Sequence, residues 1–175
     1  YYKNGIEDFF KIEYSKKNKL FEKDFSLKND LNPNENFEVY ISFNNNESSS
    51  LKSYCNTIET PDGGSHEIGL KNGIIKAIKL FGQKNQISKI NNINQNDLFD
   101  FSDVIISIFI NEPSFEGQTK KRIIMPALQN EIENKSQQEF ILWLNSNKKN
   151  SKILLKNLIE RSLQRTDLSK LQNLD

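Results

Sequence analysis

Seven consecutive residues, Val104-Ile105-Ile106-Ser107-Ile108-Phe109-Ile110, constrain this chain more than any other stretch. Successive side chains of an extended segment point to opposite faces, and here both faces are apolar. The run therefore reads as a central strand covered on both sides. Other strands belong around it. Phe37, Val39, Ile41 and Phe43 alternate with Glu38, Tyr40 and Ser42, the period-2 pattern of a strand with one buried face. After Lys19, Phe21, Phe25 and Leu27 share one side of an extended chain, and Leu51 to Ile58 reads as a further strand. Asn29 to Asn36, with Pro33, is expected to turn, and the polar stretch Asn44 to Ser50 to form an exposed hairpin loop.

Helical spacing fills the remainder. Ile6, Phe9 and Phe10 suit a short helix within Gly5 to Tyr14. Pro61-Asp62-Gly63-Gly64 suits a tight turn, after which Leu70, Ile74, Ala77, Ile78 and Phe81 line one helical face, with Ser65 expected to cap it and Gly82 near its end. Asp97-Leu98-Phe99 reads as one helical turn. Pro126 suits the first position of a helix reaching Trp143 and Leu144, with Ile132, Phe140 and Leu144 buried. Asn145 to Asn150 is expected to interrupt it. From Ser151, a stripe through Leu154 or Leu155, Leu158, Ile159, Ser162 and Leu163 predicts a helix long enough to project from a small domain. The pattern describes one α+β domain with a helical extension.

Composition narrows the function. Basic and acidic residues nearly cancel, 24 against 23, so net charge alone forces no polyelectrolyte partner, although Lys135 to Asp175 carries eight basic and four acidic side chains. Twelve phenylalanines supply a core although only 35% of residues are hydrophobic. A single cysteine, Cys55, excludes an internal disulfide. No stretch approaches the roughly 18 apolar residues of a membrane span. Tyr1-Tyr2-Lys3-Asn4-Gly5 carries no apolar signal core, so no membrane association and a cytoplasmic setting are expected. Met125 is the only methionine, and the chain reads as a piece of something longer.

A self-contained active site is hard to assemble from these residues. Any Ser-His-Asp or Cys-His device would need His66, the only histidine, and Cys55 lies eleven positions earlier without a familiar spacing. The simpler reading is a buried thiol and a structural histidine at a helix start. Zinc-ligand spacings are absent. Glu133 and Glu139 read as solvating charges on helix faces. Gly63-Gly64-Ser65-His66 precedes a helix whose amides attract anions, but a tight turn explains the same glycines. Phe115-Glu116-Gly117-Gln118-Thr119-Lys120 follows the central strand, where functional loops commonly stand. Gln118 can donate an amide hydrogen bond, and Lys120 offers a mobile ammonium suited to a phosphate oxygen.

Taken in order, Tyr54-Cys55-Asn56-Thr57-Ile58, Pro61-Asp62-Gly63-Gly64-Ser65-His66, Gly69-Leu70-Lys71 and Phe115-Glu116-Gly117-Gln118-Thr119-Lys120 resemble the transducer domain of bacterial type IIA topoisomerase ATPase subunits. Gly5-Ile6-Glu7-Asp8-Phe9 is similar to that domain's start, so the resemblance covers nearly the whole chain. The Tyr-Cys-Asn-Thr block and Phe140-Ile141-Leu142-Trp143-Leu144 look more like the B subunit of topoisomerase IV than that of gyrase. The resemblance implies a two-layer, split β-α-β fold of the ribosomal-protein type. A mixed, roughly four-stranded sheet would form a core over residues 1–125, and 126–175 would be helices leading to the DNA-cleavage core. It implies that ATP and magnesium are held by a preceding domain, with no catalytic residue, metal site or bound cofactor in this piece. Gln118 and Lys120 would sense the γ-phosphate, supported by Gly117 and Thr119. Lys71 would line a cavity for a DNA duplex, contacted without sequence preference. The implied partners are DNA, the DNA-cleaving subunit in a holoenzyme with two copies of each, and the preceding domain. A stand-alone nucleic-acid-binding module of similar fold is the alternative, as is the same domain of the gyrase B subunit.

Overall fold

A computed structural model of the chain describes residues 4–14, 18–45 and 48–172. Tyr1 to Lys3, the start of the stretch read for a signal core, lie outside the described residues. The chain orders as helix α1 (Ile6–Tyr14), strands β1 (Phe25–Asn32), β2 (Glu35–Phe43), β3 (Ser50–Cys55) and β4 (Ile58–Glu59), then helices α2 (Ser65–Lys84) and α3 (Gln95–Phe99). Strand β5 (Ser102–Phe109) and helices α4 (Pro126–Ser146) and α5 (Lys148–Gln172) complete it.

The strands form one sheet in the order β1-β2-β5-β3-β4, with β5 antiparallel to β2 and parallel to β3. The apolar run thus becomes the middle strand, Ile106 standing between Val39 and Ser53. Seven of its eight residues are buried because each face is covered. On one face Phe25, Val39, Ile41, Val104, Ile106 and Ile108 meet Ile74 and Ile78 of α2 and Ile132 and Phe140 of α4 in the main core. On the other, Tyr40 and Ile105 pack against Phe10 and Tyr14 of α1. Phe25 meets Phe140 edge-on, ring centroids 5.0 Å apart, and Trp143 stacks beside Phe140 at 5.2 Å. Such pairs add roughly 0.5–1.5 kcal/mol beyond their buried area.

Three local expectations change. The strand expected over Leu51 to Ile58 is interrupted at Asn56-Thr57, whose φ values of 49° and 70° make a two-residue hairpin turn and yield the two-residue strand β4, the fifth of the sheet. The turn expected over Asn29 to Asn36 shrinks to Pro33-Asn34, because β1 and β2 remain paired as far as Asn32 and Glu35. Asn44 to Ser50 is no hairpin: β5 lies between the strands it joins, and Asn44 is buried, its Nδ2 donating to Asp103 at 3.1 Å. Residues 46–47 of that stretch lie outside the described residues.

The helix expected from Pro126 is α4, and the polar interruption reduces to Asn147. The long last helix does not leave the core at once. Leu154, Leu155 and Leu158 are buried, and further along Arg161 lies 3.5 Å over the Phe101 ring while Arg165 grips the Asp97 carboxylate with two bonds of 3.0 Å. Leu163, expected on the buried stripe, is exposed, and beyond Arg165 Leu168 and Leu171 are more exposed still. Among the described residues no helix is long and apolar enough to cross a membrane.

Candidate functional site: an exposed loop seated on a helix start

The chain leaves β5 through Ile110, whose N–H and carbonyl both pair with the Asn56 side-chain amide, at 3.0 and 2.9 Å. It then rises and returns as a narrow loop. Phe115 bridges Ile123, the Glu116 N–H donates to the Arg122 carbonyl at 2.9 Å, and the Ile124 N–H donates to Ser114 at 2.9 Å. The apex, Gly117 to Lys121, is exposed, with Gly117 and Lys120 in the left-handed region at φ 71° and 54°.

The returning arm is seated on the Pro61 to Ser65 turn. The Ile123 N–H donates to Gly63 at 3.1 Å, the Ser65 N–H donates to the Ile123 carbonyl at 2.9 Å, and the Asp62 N–H reaches Lys121 at 3.1 Å. Gly64 makes the approach possible. Its φ of 128° is open only to glycine, and a Cβ there would lie 2.2 Å from the Ile123 carbonyl oxygen. Contrary to expectation, Ser65 does not cap α2: Gly64 stands at the cap, and the Ser65 hydroxyl accepts the Met125 N–H at 2.7 Å. Two sequence blocks about fifty positions apart thus form one unit.

Beneath the turn lies a buried polar cluster. Ser53 Oγ lies 2.8 Å from Thr60 Oγ1 and donates to Glu67 at 2.6 Å, and His66 Nε2 lies 3.0 Å from Thr60 Oγ1. His66 is fully buried, and burial lowers its pKa from 6.5 to about 4, so it is a neutral structural group. The Cys55 thiol, also buried, is pushed up to about 11. Glu133 is more than a solvating charge. It pairs with Lys76 and accepts from Asn72 at 3.1 Å, clasping α4 to α2, and the Lys76 hydrogen bond lowers its pKa.

Among the described residues neither Gln118 nor Lys120 has a hydrogen-bond or ion-pair partner, so the amide and the ammonium remain available to an anion. Gly117 and Thr119 share the exposed apex. Lys71 is not brought to this loop. It is half-buried on α2, its ammonium 5.8 Å from the centroid of Phe99. No cluster of three or more metal-ligating side chains occurs among the described residues. Arg122, a residue of the same loop, looks in sequence like one more solvated charge after Lys120 and Lys121. Its rarity as an arginine is the only signal that sets it apart.

The family described as DNA gyrase B matches residues 5–173. The chain belongs to the DNA gyrase B family. Within it, the B subunit of DNA topoisomerase 4 from Rickettsia felis is 35% identical over 158 residues, covering 89% of this chain and 24% of that protein. The Bartonella bacilliformis protein of the same name is 30% identical over 166 residues, again 24% of its length. The chain thus spans about a quarter of the curated relatives it matches. Among solved structures, the topoisomerase IV ATP-binding domain of Francisella tularensis, in complex with a small-molecule inhibitor, superposes with a TM-score of 0.76 at 32% identity, over 84% of this chain and 41% of that one. The 43K ATPase domain of Thermus thermophilus gyrase B, in complex with an aminocoumarin, reaches a TM-score of 0.83 at 20% identity, over 99% and 47%. The second likeness speaks to the gyrase B fold alone.

Proposed function

We propose that this chain is the transducer part of the B subunit of an ATP-dependent type II topoisomerase, of the topoisomerase IV kind, in a bacterial cytoplasm. Its Gln118–Lys120 loop then senses the γ-phosphate of ATP held by a preceding domain. The observation that carries the reading is a loop fastened at its base by backbone hydrogen bonds, with an unpartnered amide and ammonium at its exposed apex. The residues suit a triphosphate: Gln118 donates one hydrogen bond, and Lys120 sets a compact positive charge against a terminal oxygen. Bound ATP with its magnesium would supply the phosphoryl group whose departure changes the charge facing the loop. Lys120 stabilises the triphosphate-bound arrangement and loses its partner once phosphate leaves, so the loop and the helices behind it are biased between two positions. Catalytic groups for hydrolysis belong to the preceding domain.

The remaining roles follow the same reading. The division of residues 1–125 from 126–175 is then one of role and not of packing: 126–175 lead toward the DNA-cleaving part, although α4 and the first half of α5 bury Ile132, Phe140, Leu154 and Leu158 in the same core. Lys71 contributes charge toward a transported duplex through the phosphate backbone, without base reading. In the full-length protein assembled with its DNA-cleaving partner, Lys120→Ala lowers ATP turnover and strand passage at least roughly tenfold while nucleotide-independent DNA cleavage is retained. Unchanged ATP turnover overturns the reading. Negative supercoiling by the wild-type holoenzyme would assign the chain to gyrase instead.

A further inference from the structure

Arg122, directly after the two lysines of the loop, is one of three arginines among 24 basic residues. Its guanidinium reaches two separate segments. Nη1 donates to the Asp62 carbonyl at 3.1 Å, and Nε lies 3.3 Å from the Glu116 carboxylate. The backbone repeats the junction, since the Glu116 N–H donates to the Arg122 carbonyl and the Asp62 N–H to the Lys121 carbonyl. The rising arm, the returning arm and the turn that opens α2 therefore meet at this side chain. What they support is unfavourable by itself: Lys120 holds a left-handed backbone at φ 54°, a conformation that non-glycine residues keep only where their surroundings enforce it. A planar guanidinium spans a carbonyl and a carboxylate in one fixed orientation, which a single ammonium does not.

We infer that Arg122 is a positioning residue for the Gln118–Lys120 apex, joining both arms of the loop to the start of α2 so that Lys120 faces its phosphate in one orientation. The inference rests on the sensor reading of the loop. Misplacing a group that acts on a transferred phosphate by about 1 Å is enough to cost up to roughly a hundredfold in rate. Arg122 is partly exposed, and its side chain's polar partners among the described residues, Asp62 and Glu116, lie in the turn and the loop, so its removal perturbs the apex rather than the core.

A double-mutant cycle in the full-length protein tests this. Arg122→Ala lowers kcat for ATP hydrolysis about three- to tenfold, and Arg122→Lys restores part of the loss. Thermal unfolding stays at the wild-type midpoint. In a Lys120→Ala background Arg122→Ala has no further effect, because the group it positions is gone. Wild-type turnover in Arg122→Ala while Lys120→Ala is impaired overturns the positioning role alone. Losses that multiply in the double variant also overturn it, since Arg122 would then act independently of Lys120. Unimpaired turnover in Lys120→Ala overturns the sensor reading together with this inference.

Discussion

Single side chains divide into those whose chemistry follows from type and those whose role needs neighbours. His66 belongs to both groups. Being the only histidine makes a catalytic device improbable from the start, but its neutrality follows from burial against Thr60 with Nδ1 left unpartnered. Protonation would bury a charge and leave one of the two ring N–H donors without a partner. Its folded pKa, about 4, lies below the ordinary 6.5, so above pH 6.5 both folded and unfolded chains carry neutral imidazole and stability is complete. As pH falls from 6.5 toward 4 the unfolded chain takes up a proton that the folded chain refuses, and stability drops by about 3 kcal/mol. Glu133, whose pKa is lowered from the usual 4.5, adds its own loss as pH falls below about 4.5, so the two effects overlap only at the acid end of that range. Urea midpoints at pH 7 and 4.5 check this: His66→Gln should flatten the difference, and an undiminished drop would refute the assignment. Gly64 is legible as a turn glycine; that it is a seat for Ile123 is not, because the contact lies about sixty residues away. The arginines show the same limit. Arg122, Arg161 and Arg165 each make a contact to a backbone carbonyl that a fork can hold alongside a second partner, but the partners are distant in sequence.

At the level of elements, periodicity locates most helices and strands, because burying one face imposes a spacing that any single helix or strand displays. Boundaries are less legible. Asn56-Thr57 sits inside an otherwise strand-like run and turns only because β4 folds back on β3. The contact between α2 and α4 is not visible as such. Gly69 and Gly73 lie where a Cβ would stand 2.5 Å from the Gln129 carbonyl oxygen and 2.4 Å from that of Glu133, so the two backbones touch. In an isolated helix Gly73→Ala would gain up to about 1 kcal/mol. Here it forces α2 from α4, and overpacking of this kind costs about 1–3 kcal/mol. A lowered urea midpoint for Gly73→Ala is therefore expected; a midpoint equal to or above wild type would mean the helices separate freely. Because α4 begins directly after the loop and α2 begins at its seat, this tight pair stands directly behind the loop.

For the whole molecule, near-neutral charge sets an expectation for DNA. Sequence-independent affinity comes from neutralised phosphates, and a net charge of +1 leaves only the mild basic excess of the last helices to supply it. Titration of this chain against a labelled duplex should give a Kd no tighter than about 10⁻⁵ M at physiological salt, weakening further as salt rises. Nanomolar binding would favour a self-sufficient nucleic-acid module. By itself the sequence determined the α+β class, the central, doubly covered position of Val104 to Ile110, the helical phases and the loop carrying Gln118 and Lys120. These depend on residue type, short-range spacing and the order of a few blocks. Only the tertiary structure decided that the last strand enters between β2 and β3, that α5 stays against α3 as far as Arg165, and that the loop is seated on Gly64 with Arg122 across its base. The reason is physical: periodicity states which side of an element must be buried, whereas the partner that buries it is chosen by packing between segments far apart in the chain.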